Sequence, residues 1–98
     1  MDVRFSPEAE AQIAERRAWW RAHRDEADIF DEELALAVSR IGQSPTAFPW
    51  FGIRGGRLIR RCLMERARCH LYFEVDAPAG IVTIVLAWGA VRGRVPGH

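Results

Sequence analysis

The chain contains 98 residues, of which 49% are hydrophobic and 28% charged, and its formal net charge at neutral pH is +1. This composition is ordinary for a small globular protein, so we expect residues 1–98 to form a single domain with a modest core. No apolar run approaches the roughly 18 residues that a membrane-spanning helix needs, and the N-terminus shows no secretion-signal pattern. We therefore expect a cytoplasmic protein that has no membrane partner.

Charge is distributed unevenly along the chain. Residues 1–45 contain six arginines and ten acids, a net charge of −4, whereas residues 46–98 contain eight arginines and three acids, a net charge of +5. There is no lysine. Arginine suits bidentate binding of carboxylate or phosphate, although genomic base composition explains the missing lysines more simply. The C-terminal half is therefore the half expected to meet an anionic partner.

The N-terminal residues predict a short strand followed by a helix. Asp2–Phe5 alternates polar and apolar side chains, as a strand with one buried face does. Ser6 can cap the first amides of a helix, and Pro7 suits the first helical position because that position needs no N–H donor. The helix should extend to about His23.

A second helix is predicted over residues 26–42. Its apolar side chains recur at helical spacing and form a single stripe; they are Phe30, Leu34, Ala37, Val38 and Ile41. Gly42 favours a stop at this point, and Pro45 follows it. Because only a few residues separate the two helices, we expect an antiparallel hairpin. The acids between Asp25 and Glu33 are interpreted as a solvated helix face.

Three strands dominate the C-terminal half. Residues 57–64, 68–76 and 81–88 are rich in β-branched, aromatic and aliphatic side chains. We expect an antiparallel meander in which residues 81–88, apolar almost throughout, occupy a central position. Trp88 should then be buried under the helical hairpin.

The connector at residues 43–56 is rich in proline and glycine but too apolar to remain in water. Part of it, Trp50–Arg54, is predicted to form a short strand, and Gly55–Gly56 a turn. Cys62 and Cys69 lack the spacing of a metal site, and we expect free, buried thiols in a reducing compartment. A two-residue turn at 65–66 would place these two cysteines opposite each other.

These elements together predict an α+β fold: an N-terminal strand and an antiparallel two-helix hairpin packed on a three- to four-stranded antiparallel sheet. Four segments then appear in a characteristic order, namely FSPEAEAQI…WW, IGQSP, LIRRCLMERARCHLYFEV and GIVTIVLAWGAVRG. In order and spacing they resemble the RelE/ParE superfamily, the toxins of bacterial type II toxin–antitoxin (plasmid stabilisation) modules. The resemblance covers roughly residues 3 to 92 and is closer to ParE.

The resemblance implies two functional classes on one fold. RelE-like members cut messenger RNA in the ribosome, and ParE-like members inhibit DNA gyrase. A nuclease needs proton carriers as well as cations. Gly89 stands where the family often has histidine, the closing tail lacks the aromatic residue that RelE-like nucleases use, and His70 and Glu65 are weak substitutes. We therefore favour a ParE-like gyrase inhibitor. The alternatives are a ribosome-dependent mRNA endoribonuclease, whose catalytic cations would be Arg60, Arg61 and Arg92, or a non-toxic partner-binding relative.

The partners implied by the resemblance are a cognate antitoxin and DNA gyrase, or the ribosome and mRNA in the alternative case. No cofactor or metal is expected. Strand alternation places Arg60 and Arg61 on opposite faces, but the sequence leaves open which of them faces the core. The side chains expected to bind antitoxin or target are Arg54, Arg57, Arg60, Arg61, Arg92, Trp50 and Phe51.

Overall fold

The computed structural model describes residues 1–26 and 28–89. Its elements in chain order are β1 (Asp2–Phe5), α1 (Pro7–His23), α2 (Asp28–Gln43), a short 3-10 helix (Pro45–Ala47), β2 (Trp50–Arg54), β3 (Arg57–Met64), β4 (Cys69–Asp76) and β5 (Ile81–Gly89). The helices and strands predicted from the sequence are confirmed, each with its ends within two residues of the expected positions.

The strands form one mixed five-stranded sheet in the order β1-β5-β4-β3-β2. β1 runs parallel to β5, and the other neighbouring strands are antiparallel. The α+β class is as expected, but the prediction of a three- to four-stranded antiparallel sheet is wrong. β1 and its parallel partner β5 are the first and last elements of the described chain, so both helices and three strands lie between them. Parallel pairing requires such a long connection. β5 is an inner strand between β1 and β4, as expected, although β4 is the middle strand of the five.

Helix α1 begins where β1 ends. Side chains from the start of α1 form hydrogen bonds with the backbone of β5 beyond the last residue that pairs with β1. The Ser6 hydroxyl accepts a hydrogen bond from the Ala9 N–H and donates one to the Val85 carbonyl, both at 3.0 Å. One turn later the Gln12 side-chain carbonyl accepts a hydrogen bond from the Ala87 N–H at 2.7 Å. The predicted helix cap is therefore also a joint between helix and sheet.

The main core lies between the two helices and one face of the sheet, which we call the helix face. Its buried side chains come from both helices and from β3, β4 and β5; they include Ile13, Phe30, Ile41, Cys62, Leu71, Phe73, Val82 and Ile84. Where α1 meets α2, the Arg17 Nε lies 2.6 Å from the Asp31 Oδ1. The acidic start of α2 is thus partly used to join the helices, and the interpretation of it as a purely solvated face is wrong for Asp31.

The expected burial of Trp88 under the helices is wrong. The pairing of β4 with β5 shifts by one residue between Tyr72 and Phe73, so that β5 carries a bulge at Val85. A bulge reverses which face the following side chains take. Ala87 therefore enters the main core, whereas Trp88 turns to the opposite face and keeps 37% of its surface exposed.

The turn between β3 and β4 is four residues long, not two, and it spans residues 65–68. Arg68 adopts a left-handed conformation with φ 51°. The Glu33 carboxylate of α2 accepts hydrogen bonds from the N–H groups of Arg66 (3.1 Å) and Ala67 (2.6 Å) and so holds this turn. Cys62 consequently pairs with Leu71, and Cys69 with Met64, so the two cysteines are not opposite each other. Both thiols are free and buried, as expected.

In the described part of the chain, neither helix has the length and apolar character needed to cross a membrane.

Candidate partner-binding surface

The face of the sheet opposite the helices, which we call the open face, carries a second and much smaller apolar cluster. Ile59, Tyr72 and Leu86 form it, with Phe51 and Val85 packed against them. By alternation along β3 and β4, this face also receives a row of polar and exposed side chains; they are Arg57, Arg61, Leu63, His70, Glu74 and Trp88. This is the candidate surface.

Arg60 and Arg61 lie on opposite faces of the sheet, and the structure shows which of them faces the helices. Arg60 lies on the helix face, since its partner Phe73 belongs to the main core. Its Nη1 donates hydrogen bonds to the carbonyl oxygens of Phe48 (2.7 Å) and Thr46 (3.3 Å). These contacts hold the connector against the sheet. Arg60, expected to bind a partner or a phosphate, is therefore occupied inside the protein.

Arg61 lies on the open face, with its Cζ 5.3 Å from the centre of the Phe51 ring. Phe51 in turn packs edge-on against Tyr72, with 4.8 Å between ring centroids. Burial raises the pKa of the Tyr72 hydroxyl, and the neighbouring Arg61 guanidinium opposes that effect. Arg61 is thus a half-buried cation that packs on the Phe51 ring, which in turn packs on Tyr72. Among the described residues, no carboxylate lies within 4.0 Å of it.

The two arginines at the β2–β3 hairpin are paired with acids. Arg57 lies 3.8 Å from Glu74 across the open face, and Arg54 lies 3.2 Å from Glu8 of α1. β2 is at one edge of the sheet and α1 packs mainly on β5, so the second contact joins the β2–β3 hairpin to the start of α1. Both arginines are exposed, and so is Glu8, whereas Glu74 is mostly buried. The exposed Arg54–Glu8 pair contributes little stability.

The expected binding aromatics also separate. Phe51 supports Arg61 on the open face, whereas Trp50 pairs with Arg60 and lies on the helix-face side of the hairpin. There Trp50 joins Ile53 and Leu58 as large apolar side chains with 64%, 72% and 48% of their surface exposed. Trp50 and Phe51 therefore belong to two different surfaces, not to one.

His70 lies on the same face of the sheet as Arg61. It lies opposite Leu63 on β3 and Trp88 on β5, and its ring is 5.8 Å from that of Tyr72. Burial, and secondarily the Arg61 charge, lower the pKa of His70, so its imidazole is neutral at physiological pH. A neutral imidazole can accept a proton, which is one half of acid–base catalysis.

β5 ends at Gly89, the position at which the RelE/ParE superfamily often has a histidine. Gly89 pairs with Cys69 and offers no side chain. Arg92, expected to take part in binding or catalysis, lies outside the described residues. Glu65, considered as an alternative base, is in the β3–β4 turn. Among residues 1–26 and 28–89, no group of three or more His, Cys, Asp or Glu side chains is arranged to hold a metal ion.

Sequence reasoning missed Leu63 and Trp88 as exposed members of the surface. Leu63 could have been found from its alternation with Arg61, once the face of Arg61 was known. Trp88 could not, because nothing in the sequence IVTIVLAW marks the bulge.

Comparison of the chain with known protein families and with curated proteins gives no match in either case.

Proposed function

We propose that this protein is the toxin of a type II toxin–antitoxin module, of the ParE-like kind that inhibits DNA gyrase and is neutralised by a cognate antitoxin. The family rests on the order and spacing of the sequence segments, and the α+β fold with an N-terminal strand and two helices is compatible with it. The role as an inhibitor, not a catalyst, rests on the open face.

One observation carries the proposal: the open face groups a half-buried arginine with exposed apolar side chains. Leu63 and Trp88 keep 44% and 37% of their surface exposed, on the same face of the sheet as Arg61. Arginine and tryptophan are enriched at the centres of protein interfaces, where a buried cation and a large ring supply much of the affinity. Such a surface needs no proton transfer to block a target enzyme. Gly89, at the end of β5, likewise provides none.

A ribosome-dependent mRNA endoribonuclease is the second candidate, and His70 favours it. A neutral imidazole, a cation and a tyrosine on one face are the parts that 2′-hydroxyl attack on a phosphodiester requires. Of the cations named for such a site, Arg61 is on this face and Arg60 is not. The third possibility, a non-toxic relative that only binds its partner, predicts no growth defect when the chain is expressed alone.

The test compares the purified chain in a gyrase supercoiling assay and in primer extension on translating ribosomes. We expect inhibited supercoiling and intact messages. Arg61→Gln and Trp88→Ala should relieve the inhibition by about tenfold or more, as interface-centre residues do. His70→Gln should leave it unchanged. Arg4→Gln, which removes one cation from the opposite edge of the sheet, is the matched control.

Codon-specific cuts that vanish in His70→Gln, or in variants of Arg61 or Arg92, would exclude the gyrase proposal and establish the nuclease. Normal growth on expression without any antitoxin, together with normal gyrase activity, would leave the partner-binding relative.

A further inference from the structure

A groove lies between helix α1 and the end of β5. It has a volume of about 580 Å³, which is within the usual range for small-molecule sites. β1 pairs with β5 only as far as Ile84, and beyond that residue side chains of α1 bind the outer backbone groups of β5. The groove is therefore formed where a helix replaces a strand at the edge of the sheet.

Two tryptophans line the groove from different elements. Trp19 of α1 and Trp88 of β5 keep 39% and 37% of their surface exposed. Trp19 is held by its own neighbours, because its ring stacks on His23 with 4.7 Å between ring centroids and the Arg24 guanidinium lies 5.4 Å from it. Small residues complete the apolar lining; they are Ala18, Ala22, Ala87 and Gly89. Such a lining accepts a planar ring, and Trp19 is already ordered to receive it.

Hydrogen-bond donors border the groove next to β5. The side-chain carbonyl of Gln12 accepts the Ala87 N–H, so its amino group remains as a donor. Gln12 and Arg16 are one helical turn apart and are therefore neighbours on α1. Because successive strand residues direct their backbone groups to opposite sides, the Gly89 N–H points to the same side as the Ala87 N–H. The groove thus offers an amide, a guanidinium and a backbone N–H to an acceptor.

Arg16 gives the groove its charge preference. Its side chain is half-buried, and among the described residues no carboxylate lies within 4.0 Å of its guanidinium. Burial raises the pKa of the Cys69 thiol to about 11, and the Arg16 charge opposes this rise. Since Cys69 pairs with Gly89, that charge lies within electrostatic reach of the end of β5. Glu15 also lines the groove, but it is exposed, and water screens its charge more strongly than that of a half-buried arginine.

We propose that this groove binds small planar aromatic carboxylates. The ring packs against Trp19 and Trp88, and the carboxylate accepts hydrogen bonds from Arg16 and the donors beside it. Arginine suits this role because its planar pair of N–H groups matches the two oxygens of a carboxylate. Neither half of such a ligand is sufficient, since a neutral ring leaves Arg16 unpaired and a small inorganic anion leaves both tryptophans in water.

This inference is independent of the proposed function. Trp88 borders both the groove and the open face, but the other residues of the groove belong to α1 and to the edge of β5, and the ligand is a small molecule, not a protein. Failure of the gyrase proposal would leave the inference intact, and failure of the inference would leave the gyrase proposal intact.

The probe is cinnamate, and its matched control is the neutral cinnamamide, which has nearly the same shape. We expect cinnamate to shift the indole N–H signals of Trp19 and Trp88 in a nitrogen–proton correlation spectrum, with a Kd of about a few millimolar or lower. Cinnamamide should bind at least about fivefold more weakly. The signal of Trp50, which is exposed at the β2–β3 hairpin, should not move.

Three variants locate the ligand. Arg16→Gln should weaken cinnamate binding about three- to tenfold and remove its advantage over cinnamamide. The matched control is Arg21→Gln, which removes an exposed arginine that lies on the same helix but 3.7 Å from Asp31, and it should change neither affinity. Ala22→Leu fills the groove from an exposed helical position where leucine is tolerated, and it should abolish binding of both compounds.

Equal affinity for cinnamate and cinnamamide would overturn the proposal, as would a preference for the cation cinnamylamine, which would make Glu15 the dominant charge. Binding that survives Ala22→Leu, or shifts confined to the Trp50 signal, would place the ligand elsewhere and overturn it too. Unmoved Trp19 and Trp88 signals at about 20 mM cinnamate would show that the groove is closed to ligands in the whole chain, with the same consequence.

Discussion

The helix face and the open face are formed by the same strands, yet one is a continuous core and the other a surface with a small cluster at its centre. Neighbouring residues show the difference directly. Arg60, on the helix face, donates hydrogen bonds to the carbonyl oxygens of Thr46 and Phe48. Arg61, one residue later, lies on the open face and forms no ion pair with a carboxylate among the described residues. A basic strand is therefore not one binding site. Of the two neighbouring arginines, only the one that faces away from the helices is available to a partner.

The largest contrast is in stability, and Phe73 and Trp88 test it. Phe73 is fully buried on the helix face and packs edge-on against Phe48, so Phe73→Ala should lower the free energy of unfolding by about 3–5 kcal/mol. Trp88→Ala should cost about 1 kcal/mol, because Trp88 loses few core contacts on the open face. Urea denaturation measures both values.

Equal costs at these two positions would contradict the assignment of faces. Should Phe73→Ala fail to fold, Ile84→Val gives a measurable value on the same face, expected at about 0.5–1.5 kcal/mol.

The second contrast concerns the two arginines. Arg60→Ala leaves the Thr46 and Phe48 carbonyls without their charged donor and should cost about 1.5–3 kcal/mol. Arg61→Ala should cost less, about 1 kcal/mol, since the half-buried guanidinium loses its contact with the Phe51 ring and its interaction with the Tyr72 hydroxyl. Thermal denaturation of both variants beside the wild type makes the comparison. A larger loss for Arg61 would mean that the open-face cation is structural.

Much of the fold could be predicted from the sequence because its signals are local. Ser6 and Pro7 mark the start of α1, and Gly55 and Gly56, both with positive φ, mark the β2–β3 turn. The β3–β4 turn has no such marker. Its shape depends on Glu33, more than thirty residues away, and on a left-handed Arg68, so its length and the cysteine register could not be predicted.

The candidate site could be predicted only in part, for a related reason. The sequence located the basic strand, but the exposed face depends on which set of alternate residues the helices cover. The bulge at Val85 then decides the positions of Ala87 and Trp88. A bulge is a property of the pairing between strands, and the pattern of a single apolar strand does not reveal it.

The third contrast lies within the acidic start of α2. Glu33→Gln replaces the carboxylate that binds the Arg66 and Ala67 amides and should cost about 1 kcal/mol, whereas the adjacent Glu32→Gln, for which no comparable contact is found among the described residues, should cost almost nothing. Hydrogen exchange at the amides of residues 66 and 67 should accelerate in the first variant only. Unchanged hydrogen exchange in Glu33→Gln would show that the β3–β4 turn keeps its conformation without the Glu33 carboxylate.

The smallest expected effect is a pH dependence that arises on the open face, at His70. Burial and the Arg61 charge lower the pKa of His70 in the folded protein, so the folded state binds a proton less readily than the unfolded chain, for which the ordinary value is 6.5. His70 therefore has no effect on stability well above pH 6.5, and it destabilises the fold progressively as the pH falls from 6.5 towards its folded pKa.

His70→Gln removes this contribution, and the stability of the variant should decrease less than that of the wild type between pH 7 and pH 5. Arg61→Gln, which removes only the second cause, should reduce the decrease by a smaller amount. Chemical denaturation at each pH provides the comparison, with His23→Gln on the exposed end of α1 as the control for a histidine away from this face. Parallel profiles for the wild type and His70→Gln would show that folding does not lower the pKa of His70. The imidazole would then be as freely solvated in the folded protein as in the unfolded chain.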